Sequence, residues 1–414
     1  MNRNMVKKPK KEEFFDDEDD DVVESSSSKS SDESKTKMFK LMIIITCVTA
    51  GLLLVLYIAS FFTNKAYTYN DLENIMKNAS IEYFNAHSEY LPKEEGKIVQ
   101  VDVANLVYEG RMKDLSEYGV GCTGYVLVEK IGANYVHTPY LNCGQDYATV
   151  ELYKKVLNDN PVVTEGYGLY NMNNSGVFRG ENVNNYVKLE NGLWRIVKIN
   201  SDNTVVLIHN EGLHYNQAWD DRYNESKMYN IGNNQYGNSR IREYLNKVYT
   251  NPSEEDLEFI LSDHDKARMT SYSQCTGKRL ANSTKNNNSE ECATTIKNTK
   301  LGLLTLSDYI NASLDPGCKN ATNKTCLNYN YLVIDESWWL ATANKENNYS
   351  VFMVNDTGAI EIANASQFNK VRPVIYLSER ALFDKGSGTL EDPYSIRLVS
   401  IIYRFLFFTF NIMR

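Results

Sequence analysis

From residue 41 to residue 62 the chain reads LMIIITCVTAGLLLVLYIASFF, with no charge and no alternation of apolar and polar positions. At about 1.5 Å of rise per residue such a run crosses a hydrocarbon core of roughly 30 Å, and a helix apolar on every face belongs in lipid. The pattern predicts one transmembrane helix over 41–62. A cleaved signal peptide fits less well, because its charged region would occupy residues 1–40, its apolar region is too long, and no small-x-small cleavage motif follows Ser60.

Beyond the span the periodicity shortens. Leu72, Ile75, Met76, Ala79 and Tyr83 recur at helical spacing behind Asn70 or Asp71 as cap. Asp102 is placed to cap a shorter helix through Val103, Leu106 and Val107, which Gly110 ends. Residues 125–128 (YVLV) and 135–141 (YVHTPYL) are β-prone and predict a hairpin. Residues 63–149 thus form a small α+β stem domain, and 150–166, with Pro161, read as a linker.

A larger domain is expected over 167–397. Its strands fall at 186–189, 193–199, 204–208, 338–343, 349–355, 359–365 and 371–377, with turn chemistry at 200–203 and 356–358. Helices are expected behind Ser239, through Ile241, Leu245, Val248 and Tyr249, and behind Ser253 with Asp256, through Leu257, Ile260 and Leu261. Residues 270–300 are polar and read as a loop, and 301–313 as a short strand and helix. The fold class is α+β in both domains.

Charge sets the topology. Residues 1–40 carry Lys7, Lys8, Lys10 and Lys11, then an acidic run, then SSSSKSSDES, and have too few apolar positions to offset chain entropy. They read as a disordered cytoplasmic tail. Lys29, Lys35, Lys37 and Lys40 precede the span while only Lys65 and Lys77 follow it closely, which keeps the N-terminus inside and places residues from Thr63 onward outside the cell membrane. A net charge of −9 argues against nucleic acid as a partner. The apolar tail 398–414 is short for a second crossing and is interrupted by Arg404.

Of seven cysteines, Cys47 lies in the span. The others are Cys122, Cys143, Cys275, Cys292, Cys318 and Cys326, which fall into three close pairs; pairing of neighbours as disulfides suits an oxidising compartment. A metal site is the rival, but no CxxC or HExxH spacing occurs. No metal and no cofactor are expected.

Two resemblances follow from these blocks. Residues 41–149, a membrane helix, a helical stem and a small sheet with a Cys-closed hairpin, resemble type IV pilins and pseudopilins; the prepilin processing signature is absent, so only the fold is implied. The blocks FRGENVNNYV, LWRIVKINSDNTVVLI, SRIREYLN, GLLTLSDYINAS, WWL, VRPVIYL and GSGTLEDPYSI, over about 167–396, resemble a domain family of unknown function in surface proteins of low-GC Gram-positive bacteria. That resemblance implies a C-type-lectin-like fold shared with formylglycine-generating enzymes.

Lectins of that fold hold calcium through Glu-Pro-Asn or Gln-Pro-Asp with Trp-Asn-Asp, and neither triplet is present; Asn355, Asp356 and Thr357 suffice as a turn. The five histidines stand near no nucleophile motif. Trp219 with Asp220 and Asp221 in a polar loop, together with Tyr236, are the candidate ligand-binding residues, the rings for stacking and the carboxylates as acceptors, against the plainer reading of a packed loop Trp. One of Trp338 and Trp339 is expected to face solvent, and Arg240 and Arg372 to form buried ion pairs or caps. The sequence thus reads as a single-pass membrane protein with an extracellular, non-catalytic binding module for a glycan or envelope protein. An envelope enzyme, which a concave cluster of titratable groups would favour, and a pilus-associated structural component remain open.

Overall fold

In the computed structural model, which describes residues 31–63, 67–253, 259–322 and 330–397, the uncharged run lies within one helix, Ser31–Thr63. Its stretch Lys37–Val55 has a mean hydropathy of 2.3 and is fully uncovered, and among the described residues it is the one helix long and apolar enough to cross a membrane. The tail was expected to lack regular structure up to residue 40; instead 31–40 are helical. Once the apolar run nucleates a helix, adding flanking residues is cheap. The chain divides into two compact units, Met1–Ala66 and Tyr67–Arg414, and the rest concerns the second.

There the helix Tyr69–Ala86 is capped by Thr68 rather than by Asn70 or Asp71: the Thr68 hydroxyl accepts from the Asp71 N–H (3.1 Å), and Asp71 reaches back to the Thr68 N–H (3.0 Å). Leu72, Met76, Ala79 and Phe84 on one face pack on a three-stranded antiparallel sheet, Ile98–Asp102, Thr123–Ile131 and Asn134–Asn142. The second and third strands are the expected hairpin. Gly132, at φ 59°, makes its turn, and a Cys122–Cys143 disulfide closes its open end. The short helix Val103–Tyr108 follows Asp102 at the expected place, but the Asp102 side chain makes no capping hydrogen bond and instead accepts from Gln100 at 2.7 Å.

Residues 150–166, read as a linker, carry the helix Leu152–Asp159, whose Leu152 and Val156 are fully buried in the larger core. That core lies on an eight-stranded sheet. Its path runs Met269–Thr270, Val374–Leu377, Val205–His209, Gly192–Ile199, Ser175–Arg179, Gly168–Met172; off that path Tyr186–Leu189 pairs with Gly192–Ile199 and Tyr394–Ser395 pairs with Tyr186–Leu189. A second sheet holds Lys278–Arg279, Trp338–Asn344, Ser350–Val354 and Ile360–Asn364. The expected strand near 371 starts only at Val374, after Pro373, which has no N–H to give a ladder.

All four tryptophans, Trp194, Trp219, Trp338 and Trp339, are fully buried. At about 150–250 Å² each and about 25 cal/mol per Å², each supplies an upper bound of roughly 4–6 kcal/mol. The expectation that Trp338 or Trp339 faces solvent fails because their strand is covered on both sides. Trp339 donates its indole N–H to the Gln217 carbonyl at 2.8 Å, and Trp338 lies edge-on to Tyr309.

Residues 270–300 are more ordered than a polar loop. Strands Tyr272–Cys275 and Thr295–Thr299 pair, and Cys275 bonds Cys292. Arg279 and Glu291, both fully buried, form an ion pair at 3.0 Å. Cys318 is disulfide-bonded, and its expected partner Cys326 lies outside the described residues. So do the helix start at Ser253 to Leu257, apart from Ser253 itself, and the tail 398–414.

The stem helix and sheet are tied by charge to residues that flank the larger sheet. Arg397 donates to Glu73 (2.5 Å) and to the Tyr147 hydroxyl, which itself donates to Glu73 (2.8 Å), and Arg380 grips Glu129 at 2.6 and 3.2 Å.

Candidate functional site

The sequence-derived candidates do not form a stacking platform. Trp219 is fully buried, donates to the Leu340 carbonyl at 3.2 Å and lies edge-on to Tyr236, itself 2% exposed. Stacking on a ligand needs an open ring face, and neither ring has one. Asp220 is also fully buried, and its carboxylate takes the Arg222 side chain (3.0 Å) and the Arg222 and Asn233 backbone N–H groups. Only Asp221 faces solvent, in an exposed pair with Arg240 at 3.4 Å that contributes little. The exposed aromatics of this loop are Tyr215, Tyr223 and Tyr229.

An open cleft of about 830 Å³ lies elsewhere, between the turn at Asn191 and Gly192, the loop after Val205–His209, and residues 333–336. Its walls are fixed by a residue that the sequence placed in a buried ion pair or a cap, a reading its partners correct. Arg372 is fully buried, and among the described residues it has no carboxylate partner; instead Nε donates to the His209 carbonyl (3.1 Å), Nη2 to that of Asn210 (2.9 Å) and Nη1 to that of Leu332 (2.5 Å). Its guanidinium also faces Trp338 at 4.8 Å. One side chain thus pins two walls that are far apart in sequence. Arg240, in contrast, is exposed. Burial, with Arg195 nearby, pulls Arg372 down to about 9, so the charge persists at neutral pH.

His209 lines the cleft in one tautomer. The Gly212 N–H donates to Nδ1 at 2.9 Å, so in the neutral ring Nε2 carries the proton. Trp194 and Phe259 pack edge-on against the ring, each at 5.1 Å. A side chain at Gly192, whose φ is 147°, would come within 3.2 Å of Nε2, so glycine keeps this nitrogen clear. Lys370 holds Glu336 at 2.7 Å across the rim, while Glu211 and Asp335 are exposed there.

Residues 202–379 match DUF6273, a domain family of unknown function. The DUF6273 segment is narrower than the family resemblance drawn above from the sequence. It supplies His209, Arg372, Lys370 and the 333–336 wall, whereas the Asn191 and Gly192 turn lies before it. No curated protein and no solved structure matches the chain.

Burial lowers the pKa of His209 to about 4, Arg372 adding to the effect, and that of His137 to about 4, with Lys77 adding. His137 accepts or donates at Nδ1 to the Ser80 hydroxyl (2.8 Å) inside the stem core. Both are neutral in the fold and protonate near 6.5 when unfolded, so the unfolded state binds more protons between those values. Each therefore contributes on the order of 3 kcal/mol that is complete above pH 6.5 and is lost as pH falls to about 4. Urea unfolding at pH 7 and pH 4.5 should show a large drop in stability for the parent chain and a smaller one for a variant with both His137→Asn and His209→Asn. Equal drops would contradict the assignment.

Among the described residues, no three His, Cys, Asp or Glu side chains stand close enough to share a metal ion. In the turn at Asn355, the side-chain oxygen takes the Thr357 and Ala359 N–H groups at 3.0 and 2.9 Å. That geometry is an Asx turn.

Proposed function

We propose that this is a membrane-tethered extracytoplasmic protein whose outer domain binds an envelope glycan, without catalysis, in the cleft at His209. The C-type-lectin-like arrangement, the pilin-like stem and the Gram-positive surface setting belong to this reading. An uncovered apolar helix supports the tether, and the disulfides Cys122–Cys143 and Cys275–Cys292 suit an oxidising exterior. The observation that carries the binding role is the cleft itself. It combines donors and acceptors, the His209 N–H held in one tautomer and the exposed carboxylates of Glu211 and Asp335, with apolar surface from Leu193 and Phe259, the mixture that hydroxyl-rich ligands with apolar faces require. It is lined by loops on a rigid sheet, where contacts are commonly presented.

A second reading has its own observation. Lys188, His209, Glu211, Asp335, Glu336 and Lys370 form a concave cluster of titratable groups, the feature expected of an envelope enzyme. The binding reading is preferred because Glu336 is occupied by Lys370 and His209 is held neutral by packing.

The test uses the full chain in detergent on an array of glycans and cell-wall polymers. A ligand that binds the parent should bind at least about tenfold more weakly to Glu211→Gln and Asp335→Asn, with unfolding midpoints unchanged. Binding unaffected by either change would remove the cleft from the proposal. Release of product from the bound polymer, abolished by the same changes, would replace binding with catalysis.

A further inference from the structure

A second pocket, of about 530 Å³, lies where the stem sheet meets the larger sheet, and its charges do not cancel. At its floor Arg268 is 7% exposed, its Nε has no hydrogen-bond partner, and its single side-chain hydrogen bond among the described residues runs from Nη1 to the Arg380 carbonyl at 3.4 Å. A guanidinium taken out of water costs several kcal/mol unless an anion or a full set of acceptors compensates. Arg372 shows the second solution, with three carbonyls; Arg268 has neither.

The acids around it are already engaged. Glu129 is held by Arg380, which also pairs with Glu379. Glu95 accepts the Gly132 N–H at 2.7 Å, and Asp263 has a partner of its own. Three lysines remain on the walls. Lys130 donates to the Lys93 carbonyl (2.5 Å) and Lys266 lies over the Tyr249 ring (5.2 Å), while Lys300 is half-buried. Among the described residues none of these lysines, nor Arg268, has a carboxylate within 4.0 Å.

We propose that this pocket is an oxyanion site that takes a phosphate group, with Arg268 at its floor and Lys266 and Lys300 on its walls. Arginine presents a planar fork of donors that matches two phosphate oxygens, and the lysines add point charges without geometric demand. The volume has room for a phosphate ester as well as the free ion. The electrostatics agree. Burial pulls Arg268 down to about 10, Arg380 and Arg397 adding to it against Tyr140 and Glu129, and burial lowers Lys300 against the pull of Glu95. A bound dianion relieves both. The site is separate from the His209 cleft and does not depend on the ligand assigned there.

The experiment titrates the full chain in detergent with inorganic phosphate and, separately, with glycerol phosphate, at constant ionic strength against chloride, by calorimetry and by thermal unfolding. The parent should show one saturable site and a rise in Tm. The double variant Lys266→Gln, Lys300→Gln should bind at least about tenfold more weakly while unfolding at the parent's temperature without phosphate. Arg268→Lys should weaken binding again, because an ammonium cannot fork. Tighter binding of glycerol phosphate would identify the ligand as an ester, and equal or weaker binding would identify the free ion. No saturable binding by the parent, or equal binding by the double variant, would overturn the proposal.

Discussion

Replacing Arg372 with methionine is expected to lower the unfolding free energy by at least about 3 kcal/mol. The change leaves the carbonyls of His209, Asn210 and Leu332 without the Arg372 donors, the Leu332 one in a buried setting and the other two part-buried. Each orphaned group costs about 1–3 kcal/mol, so the sum is at least about 3 kcal/mol. Against a total stability of about 5–15 kcal/mol for a typical domain, that loss is severe. Arg372→Lys should recover part of it, since an ammonium carries the charge but cannot span three diverging acceptors. Urea midpoints of the two variants test this order. A methionine variant as stable as the parent would show that the walls do not need the pin.

The second large effect is expected at Glu291. Its Oε1 accepts from Arg279 (3.0 Å), from the Ser307 hydroxyl (2.7 Å) and from the Ser307 N–H (3.1 Å), all out of contact with solvent. Glu291→Ala leaves a buried guanidinium without its anion, at a cost of about 3–5 kcal/mol. Removing both charges with Arg279→Met and Glu291→Leu should cost less than the single change, because the pair is imperfect: Glu291 Oε2 and Arg279 Nε are buried without partners. A double variant less stable than Glu291→Ala alone would contradict the argument.

These two arginines mark the limit of what the sequence discloses. Periodicity locates elements wherever one face is buried. The strand Tyr186–Leu189 falls at its expected residues, Gly192–Ile199 and Val205–His209 fall within one residue of theirs, and Ser239 begins its helix as read. The polar segment 270–300 hides its order because a buried ion pair looks like two surface charges in a hydropathy pattern. Trp219 misleads for the same reason: its neighbours are polar, yet the ring is covered by residues more than a hundred positions away, including Leu340. The cleft itself joins residues near 191, 209 and 335, and no local spacing connects them. One signal was present. Arg372 sits between Val371 and Pro373 in an apolar run, and a charge in such a run requires acceptors from elsewhere.

The ties between the stem and the residues flanking the larger sheet bear on mechanics. Glu73 with Arg397 and Glu129 with Arg380 join the stem helix and sheet to residues flanking the larger sheet at separate points, in partly buried settings that salt screens weakly. Two such anchors resist swivelling where a single one would act as a pivot. The orientation at which the larger sheet meets anything docked on it is then dictated by the stem. Because Arg397 is the outermost described residue of the larger sheet's chain, a shortened chain ending before it would lose one anchor and gain a hinge.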